Sequence, residues 1–184
     1  YKREPSFPIA VACDPAFNFV YEANIRYLHH LGEVTYFSPL ADTSLPDAGF
    51  VYLPGGYPEL YLAALSANRQ MLQSIRRYVE SGGKLLAECG GMMYLCDEIR
   101  DKNGYVYPMA GVLHQSATME NMKLRLGYRT LLYNETRLKG HEFHYSRLVE
   151  QQNPLPSCAV AYTAKGVETD TPLYHYKNVW AGYT

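Results

Sequence analysis

Long apolar runs are missing from this 184-residue sequence: none approaches the roughly 20 residues a spanning helix needs, which argues against a helical membrane protein. The start, Tyr1-Lys2-Arg3-Glu4-Pro5, likewise lacks the apolar segment of a signal peptide. Neither sign of charge dominates. The formal net charge is -1 and the 17 basic residues are scattered, so there is no electrostatic footprint for nucleic acid or for an anionic membrane surface. A small molecule or another protein is the expected partner. Cysteine is scarce, and Cys13, Cys89, Cys96 and Cys158 show neither CxxC nor Cys/His metal spacing. That pattern fits a reducing cytoplasm and no disulfide framework. The histidines lack the i,i+4 or carboxylate-supported spacing of a ligand set, so no metal is expected. There is no internal repeat, no low-complexity tract and no linker after about residue 7, and the length suits one domain with its own core.

What is present is an alternation of short apolar strands with helical segments. Residues 8–13 read as a buried strand closed by Asp14-Pro15, and residues 17–31 place apolar side chains at helical spacing up to Gly32. Residues 34–37 and 50–53 are further strands. A long helix is expected over residues 60–79, with Leu62, Leu65, Leu72, Ile75 and Val79 on one face, ending at Ser81-Gly82-Gly83. Residues 84–87 form the next strand. Alternation of this kind predicts a mostly parallel sheet covered on both faces, with functional loops beyond the carboxyl ends of its strands. Residues 14–18, 54–59 and 89–91 would share that edge. The second half reads as β-rich, with antiparallel strands expected over residues 106–112, 127–133, 138–146, 159–163 and 179–183.

The strongest local signal is Glu88-Cys89-Gly90-Gly91-Met92, where an apolar strand turns abruptly into a helix. A thiol on such an elbow beside a helix N-terminus is expected to favour its thiolate, with neighbouring N–H groups free to hold an oxyanion. The chemistry indicated is acyl transfer through a thioester. In the Pro54-Gly55-Gly56 loop the glycines allow close backbone approach to a ligand, and with Gly90 they would complete an oxyanion hole. Read alone, the same loop is only a turn. Cys96, two helical turns past Cys89, is expected on the same helix and facing the core.

A cysteine nucleophile needs a base or a local positive field. His114, His141, His144 and His175 are the candidates, while His29 and His30 complement the C-terminal dipole of a helix. If residues 138–146 form a strand, His141 and Phe143 face one side and Glu142, His144 and Ser146 the other. A Cys-His-Glu arrangement is then open, as is a purely structural His144.

The ordered blocks Asp14-Pro15-Ala16-Phe17-Asn18-Phe19, Phe37-Ser38-Pro39-Leu40, Leu53-Pro54-Gly55-Gly56-Tyr57-Pro58-Glu59-Leu60, Glu88-Cys89-Gly90-Gly91-Met92-Met93-Tyr94-Leu95 and Gly140-His141-Glu142-Phe143-His144-Tyr145-Ser146 together resemble the glutamine amidotransferase domain of the cobyrinic acid a,c-diamide synthase family. The resemblance spans most of the chain. It implies an α/β, flavodoxin-like three-layer sandwich of the class I amidotransferase type, with a mostly parallel central sheet and extra antiparallel strands. It also implies that Cys89 attacks the side-chain amide of glutamine, with Gly55, Gly56 and Gly90 at the oxyanion and Met93, His144, Tyr145 and Ser146 around the substrate. Residues 8–184 would form this domain and residues 1–7 the remnant of a linker. An N-terminal synthetase domain, absent here, would bind ATP and Mg2+ and the tetrapyrrole acceptor and receive the ammonia; the domain itself would need no cofactor. The catalytic histidine of this class follows the last core strand, so it is expected at position 185 or just beyond. Sirohydrochlorin and cobyric acid relatives provide alternative acceptors, and a redox-sensing flavodoxin-like module is the competing reading of Cys89.

Overall fold

A computed structural model describes residues 7–184; the expected linker remnant, apart from Phe7, lies outside the described residues. In chain order the first half comprises β1 (Pro8–Ala12), α1 (Glu22–Leu31), β2 (Glu33–Phe37), β3 (Phe50–Leu53), α2 (Leu62–Ala67), α3 (Arg69–Glu80), β4 (Lys84–Glu88) and α4 (Gly90–Leu95). The second half comprises β5 (Cys96–Arg100), β6 (Val106–Pro108), β7 (Leu113–Thr118), β8 (Arg125–Tyr133), β9 (Thr136–His144), β10 (Arg147–Leu148), β11 (Val160–Thr163), β12 (Glu168–Thr169), β13 (Leu173–Tyr176) and β14 (Val179–Gly182).

The central sheet has the order β13-β14-β4-β3-β1-β2 and is parallel except for the β13 edge. Alternation within its strands builds two cores. Leu85 and Ala87 of β4, with Val179 and Ala181 of β14, face the main core together with Leu65, Ile75 and Met92 from α2, α3 and α4. Ile9, Val11 and Tyr52 point the other way, onto Ile25 and Leu28 of α1. Three layers result. Over the far end of that second face lies the antiparallel sheet β12-β11-β8-β9, with Leu131 and Ala161 packed on Leu173 and Trp180. A third sheet, β10-β7-β5-β6, completes the domain.

Several boundaries depart from the sequence pattern, each for a tertiary reason. The first helix begins at Glu22, not residue 17. The Asp14 carboxylate accepts from the N–H groups of Ala16 (2.8 Å) and Phe17 (3.2 Å), and Phe17 buries its ring edge-on to Tyr94 at 5.2 Å. The helix expected over residues 60–79 is interrupted at Asn68. Its side chain donates to the carbonyls of Pro39 and Asp42 (2.8 Å each) and accepts from Met71 N–H at the start of α3. Cys96 is buried, but it opens β5 rather than continuing the helix of Cys89; α4 stops at Leu95. The strand expected over residues 106–112 ends at Pro108. Residues 109–112 instead donate their N–H groups to Asp97, Tyr94, Cys96 and Leu95 carbonyls, and β7 follows. The β-rich half is also not uniformly antiparallel: the strand expected over residues 179–183, β14, pairs parallel with β4 and antiparallel only with β13, and β5 pairs parallel with β7.

Candidate active site

The parallel registers of β1, β3 and β4 bring their three loops to one edge, as the alternation required. Phe19 N–H donates to the Gly55 carbonyl at 3.1 Å, and a Cβ built on Gly55 would lie 3.6 Å from Cys89 Cβ. Cys89 itself sits at φ 50°, ψ -107°, a left-handed conformation that costs a non-glycine residue about 1–3 kcal/mol. Its N–H is held by the Gly182 carbonyl at 2.7 Å, so β14 braces the turn from behind. Side chains are excluded just after it. A Cβ on Gly91 would stand 2.2 Å from the Leu53 carbonyl oxygen, and one on Gly90 would stand 2.7 Å from Pro58 Cδ and 3.2 Å from Gly56 N. A Cβ on Gly56 would likewise meet the Ala16 carbonyl at 2.2 Å. Glycine at these positions is what lets the two loops close around the thiol.

The thiol opens into a cavity of about 510 Å³ between the central sheet and the β8–β9 hairpin. Gly55, Glu88, His141, Phe143, Tyr183 and Thr184 are among its walls. Cys89 Sγ–H donates to the Phe143 carbonyl at 3.5 Å. The expectation of a favoured thiolate does not hold. Burial first, then the carboxylate of Glu59, and after it those of Glu142 and Glu88, together push the Cys89 thiol up to about 12. The Gly90 N–H acts against them and does not outweigh them. Cys89 is therefore a neutral thiol at rest.

The alternation expected in residues 138–146 is present. His141 and Phe143 line the cavity of Cys89; Glu142, His144, Tyr145 and Ser146 line a second cavity of about 520 Å³, and Tyr183 is common to both. Glu142 is fully buried, and its Oε1 lies 2.7 Å from His144 Nε2. Its Oε2 accepts from Arg129 Nε (2.6 Å) and Thr171 Oγ1 (2.7 Å). Burial acts to raise the Glu142 carboxyl, but these hydrogen bonds and the His144 and Arg129 charges outweigh it and hold the group at about 2. His144 Nδ1 meets the Ser146 carbonyl at 2.8 Å. With acceptors at both nitrogens, the ring makes both bonds only when both nitrogens carry hydrogen, and it then has no lone pair to offer a thiol. A Cys-His-Glu relay through His144 is thus not formed, although Glu142 and His144 do pair.

Of the remaining candidates, Met93 and Ser146 join His144, while His114 and His175 lie elsewhere. Met93 Sδ accepts from Ser146 Oγ at 3.2 Å, and Tyr145 stands exposed with its ring edge-on to Phe143 at 5.9 Å. His114 faces Asp97 at 3.5 Å on the surface, and His175 stacks on Trp180 at 4.3 Å. The sequence pattern barely marks two residues that shape the site. Glu59, whose Oε2 is buried without a hydrogen-bond partner, carries only the faint signal of an acid inside a proline- and glycine-rich loop. Tyr183, stacked on His144 at 3.6 Å, is one tyrosine among 18.

Comparison with known proteins agrees with this architecture. The model of the CobB/CobQ-like glutamine amidotransferase domain matches residues 8–184. The hydrogenobyrinate a,c-diamide synthase of Pseudomonas aeruginosa is 43% identical over 160 residues, covering 86% of this chain and 35% of that protein. The cobyrinate a,c-diamide synthase of Fusobacterium nucleatum is 40% identical over 184 residues, covering 95% of this chain and 40% of that protein. The chain thus spans two fifths or less of the length of these two relatives. Among solved structures, PurLQS from Thermotoga maritima shares the fold at a TM-score of 0.64 and 18% identity, over 95% of this chain and 85% of that one. With the elbow cysteine and its glycine loop in place on this fold, the chain belongs to the family of CobB/CobQ-like glutamine amidotransferase domains.

Proposed function

We propose that this chain is the glutaminase domain of an ATP-dependent amidoligase that amidates the a- and c-acetate side chains of cobyrinic acid or its metal-free counterpart. The observation that carries this reading is Cys89 at positive φ on the β4–α4 elbow, packed beside Gly55 on the wall of a cavity. Cys89 Sγ attacks the side-chain carbonyl carbon of glutamine, and the Gly90 and Gly56 N–H groups take the charge developing on oxygen. Collapse expels ammonia and leaves a glutamyl thioester, which water hydrolyses to glutamate and the free thiol. The thiol proton must go to a base other than His144, whose nitrogens are committed. In this reading the base belongs to a position just beyond Thr184, and Thr184 itself lines the cavity with Cys89. ATP, Mg2+ and the tetrapyrrole acceptor fall to a synthetase domain, in keeping with the greater length of the relatives. The test is Cys89→Ser in the full-length protein. Glutamine-dependent diamide formation should be lost while ammonia-dependent formation persists, and an electrophilic glutamine analogue should label Cys89. Unchanged glutamine-dependent amidation in the variant rejects the assignment.

A further inference from the structure

Phe143, whose carbonyl accepts from the Cys89 thiol, lies between two residues that are immobilised on the opposite face of β9. Glu142 is tied to Arg129 on β8 and to Thr171 just before β13. His144 is tied to Glu142 and to the Ser146 carbonyl, and its ring lies flat on Tyr183 with 9° between the planes. Tyr183 O–H pairs with Ser146 Oγ at 2.9 Å, and Ser146 reaches Met93 on α4, the helix that leaves the elbow. One buried network therefore joins the hairpin, the chain beyond β14 and the nucleophile's own helix.

Stability alone is a poor reason for such a network. A buried ion pair is often no more stabilising than apolar residues of the same volume, whereas it specifies one geometry. Here the geometry is placed where it matters chemically. A misplacement of about 1 Å at a reacting centre costs on the order of a hundredfold in rate. We propose that Glu142 and His144 are paired positioning residues that hold the Phe143 carbonyl, and through it the Cys89 thiol, in the orientation from which it attacks. Neither residue lines the cavity of Cys89, so they act through the backbone between them.

This inference rests on the glutaminase reading, and the experiment separates the two. In the full-length protein, kcat and KM for glutamine hydrolysis are measured for Glu142→Leu and His144→Phe, with melting temperature as the folding control. Iodoacetamide alkylation of Cys89 is measured without glutamine. The expected result is a fall in kcat of about thirtyfold or more with KM within about threefold, because orientation and not substrate contact is lost. Glu142→Gln should recover about tenfold of that loss: its carbonyl accepts from Arg129 and Thr171 and its amide donates to a neutral His144. Alkylation should accelerate at least about fivefold in His144→Phe, which keeps the Glu142 carboxylate, once the carbonyl no longer holds the S–H. Folded variants with wild-type kcat, or a loss confined to KM, overturn the proposal. If Glu142→Leu and His144→Phe do not fold, Thr171→Val, which removes a hydrogen bond on the Glu142 carboxylate and lines neither cavity, is held to the same kcat and KM criteria. A wild-type protein that neither hydrolyses glutamine nor reacts with its analogue refutes the glutaminase reading alone. In that event an unchanged alkylation rate in the folded variants still overturns the clamp.

Discussion

The resting thiol of Cys89 should be among the least ionised in the protein, and its pH profile measures that directly. Its ordinary value of 9.0 is raised to about 12, first by burial and then by the Glu59 carboxylate. A rise of that size is about 4 kcal/mol against the thiolate and lowers the ionised fraction at pH 8 about a thousandfold, from about one in ten to about one in ten thousand. The assay is iodoacetamide alkylation of the chain between pH 7 and 10, followed peptide by peptide with mass spectrometry and compared with the urea-unfolded chain. Burial also slows access, so the shape of the profile is diagnostic, not the absolute rate. The logarithm of the Cys89 rate should rise linearly by one unit per pH unit up to pH 10 in the folded chain. In unfolded chain it should level off near the ordinary thiol value. A folded profile that levels off at or below pH 9 refutes the electrostatic account of the elbow.

Glu59→Gln removes the carboxylate that most opposes the Cys89 thiolate, so the thiol should titrate lower and alkylate several-fold faster at pH 8; an unchanged rate would show that burial alone sets the thiol. Glu142 is held at about 2 against an ordinary 4.5, so its contribution to stability is fully present above about pH 4.5 and is lost as pH falls toward 2. The difference is about 3 kcal/mol, and urea unfolding of wild type and Glu142→Gln should converge by about that amount at acid pH. Parallel pH dependence in the two proteins would contradict the assignment. Gly91→Ala forces a methyl to 2.2 Å from the Leu53 carbonyl oxygen and should destabilise by about 1–3 kcal/mol, read as a lowered melting temperature. An alanine variant as stable as wild type would mean that the elbow can shift away from β3.

Much of this site was visible in the residue order because its parts are local. A strand that breaks at Cys-Gly-Gly specifies an elbow, and a second strand that ends in Pro-Gly-Gly specifies a close-approach loop. Alternation in residues 138–146 assigned His141 and Phe143 to one wall and Glu142 and His144 to the other, because a strand has a period of two. What local pattern missed were side chains diverted to distant partners. Phe17 has the spacing of a helical residue but packs on Tyr94, and Asn68 leaves a helical run to tie residues 39 and 42. The parallel β5–β7 pair gave no signal either, since parallel and antiparallel neighbours share the same apolar spacing.

The sequence by itself determined that Cys89 ends a strand at a tight elbow and that Gly55 and Gly56 end another in a turn, because backbone sterics and short-range periodicity are written residue by residue. Only the tertiary structure decided the charge state of that cysteine and the duty of His144. Both depend on groups remote in the chain: the Glu59 carboxylate beside the thiol, and the acceptors at Glu142 and Ser146 that occupy both imidazole nitrogens. Electrostatic energies fall with distance in space and are indifferent to separation in sequence.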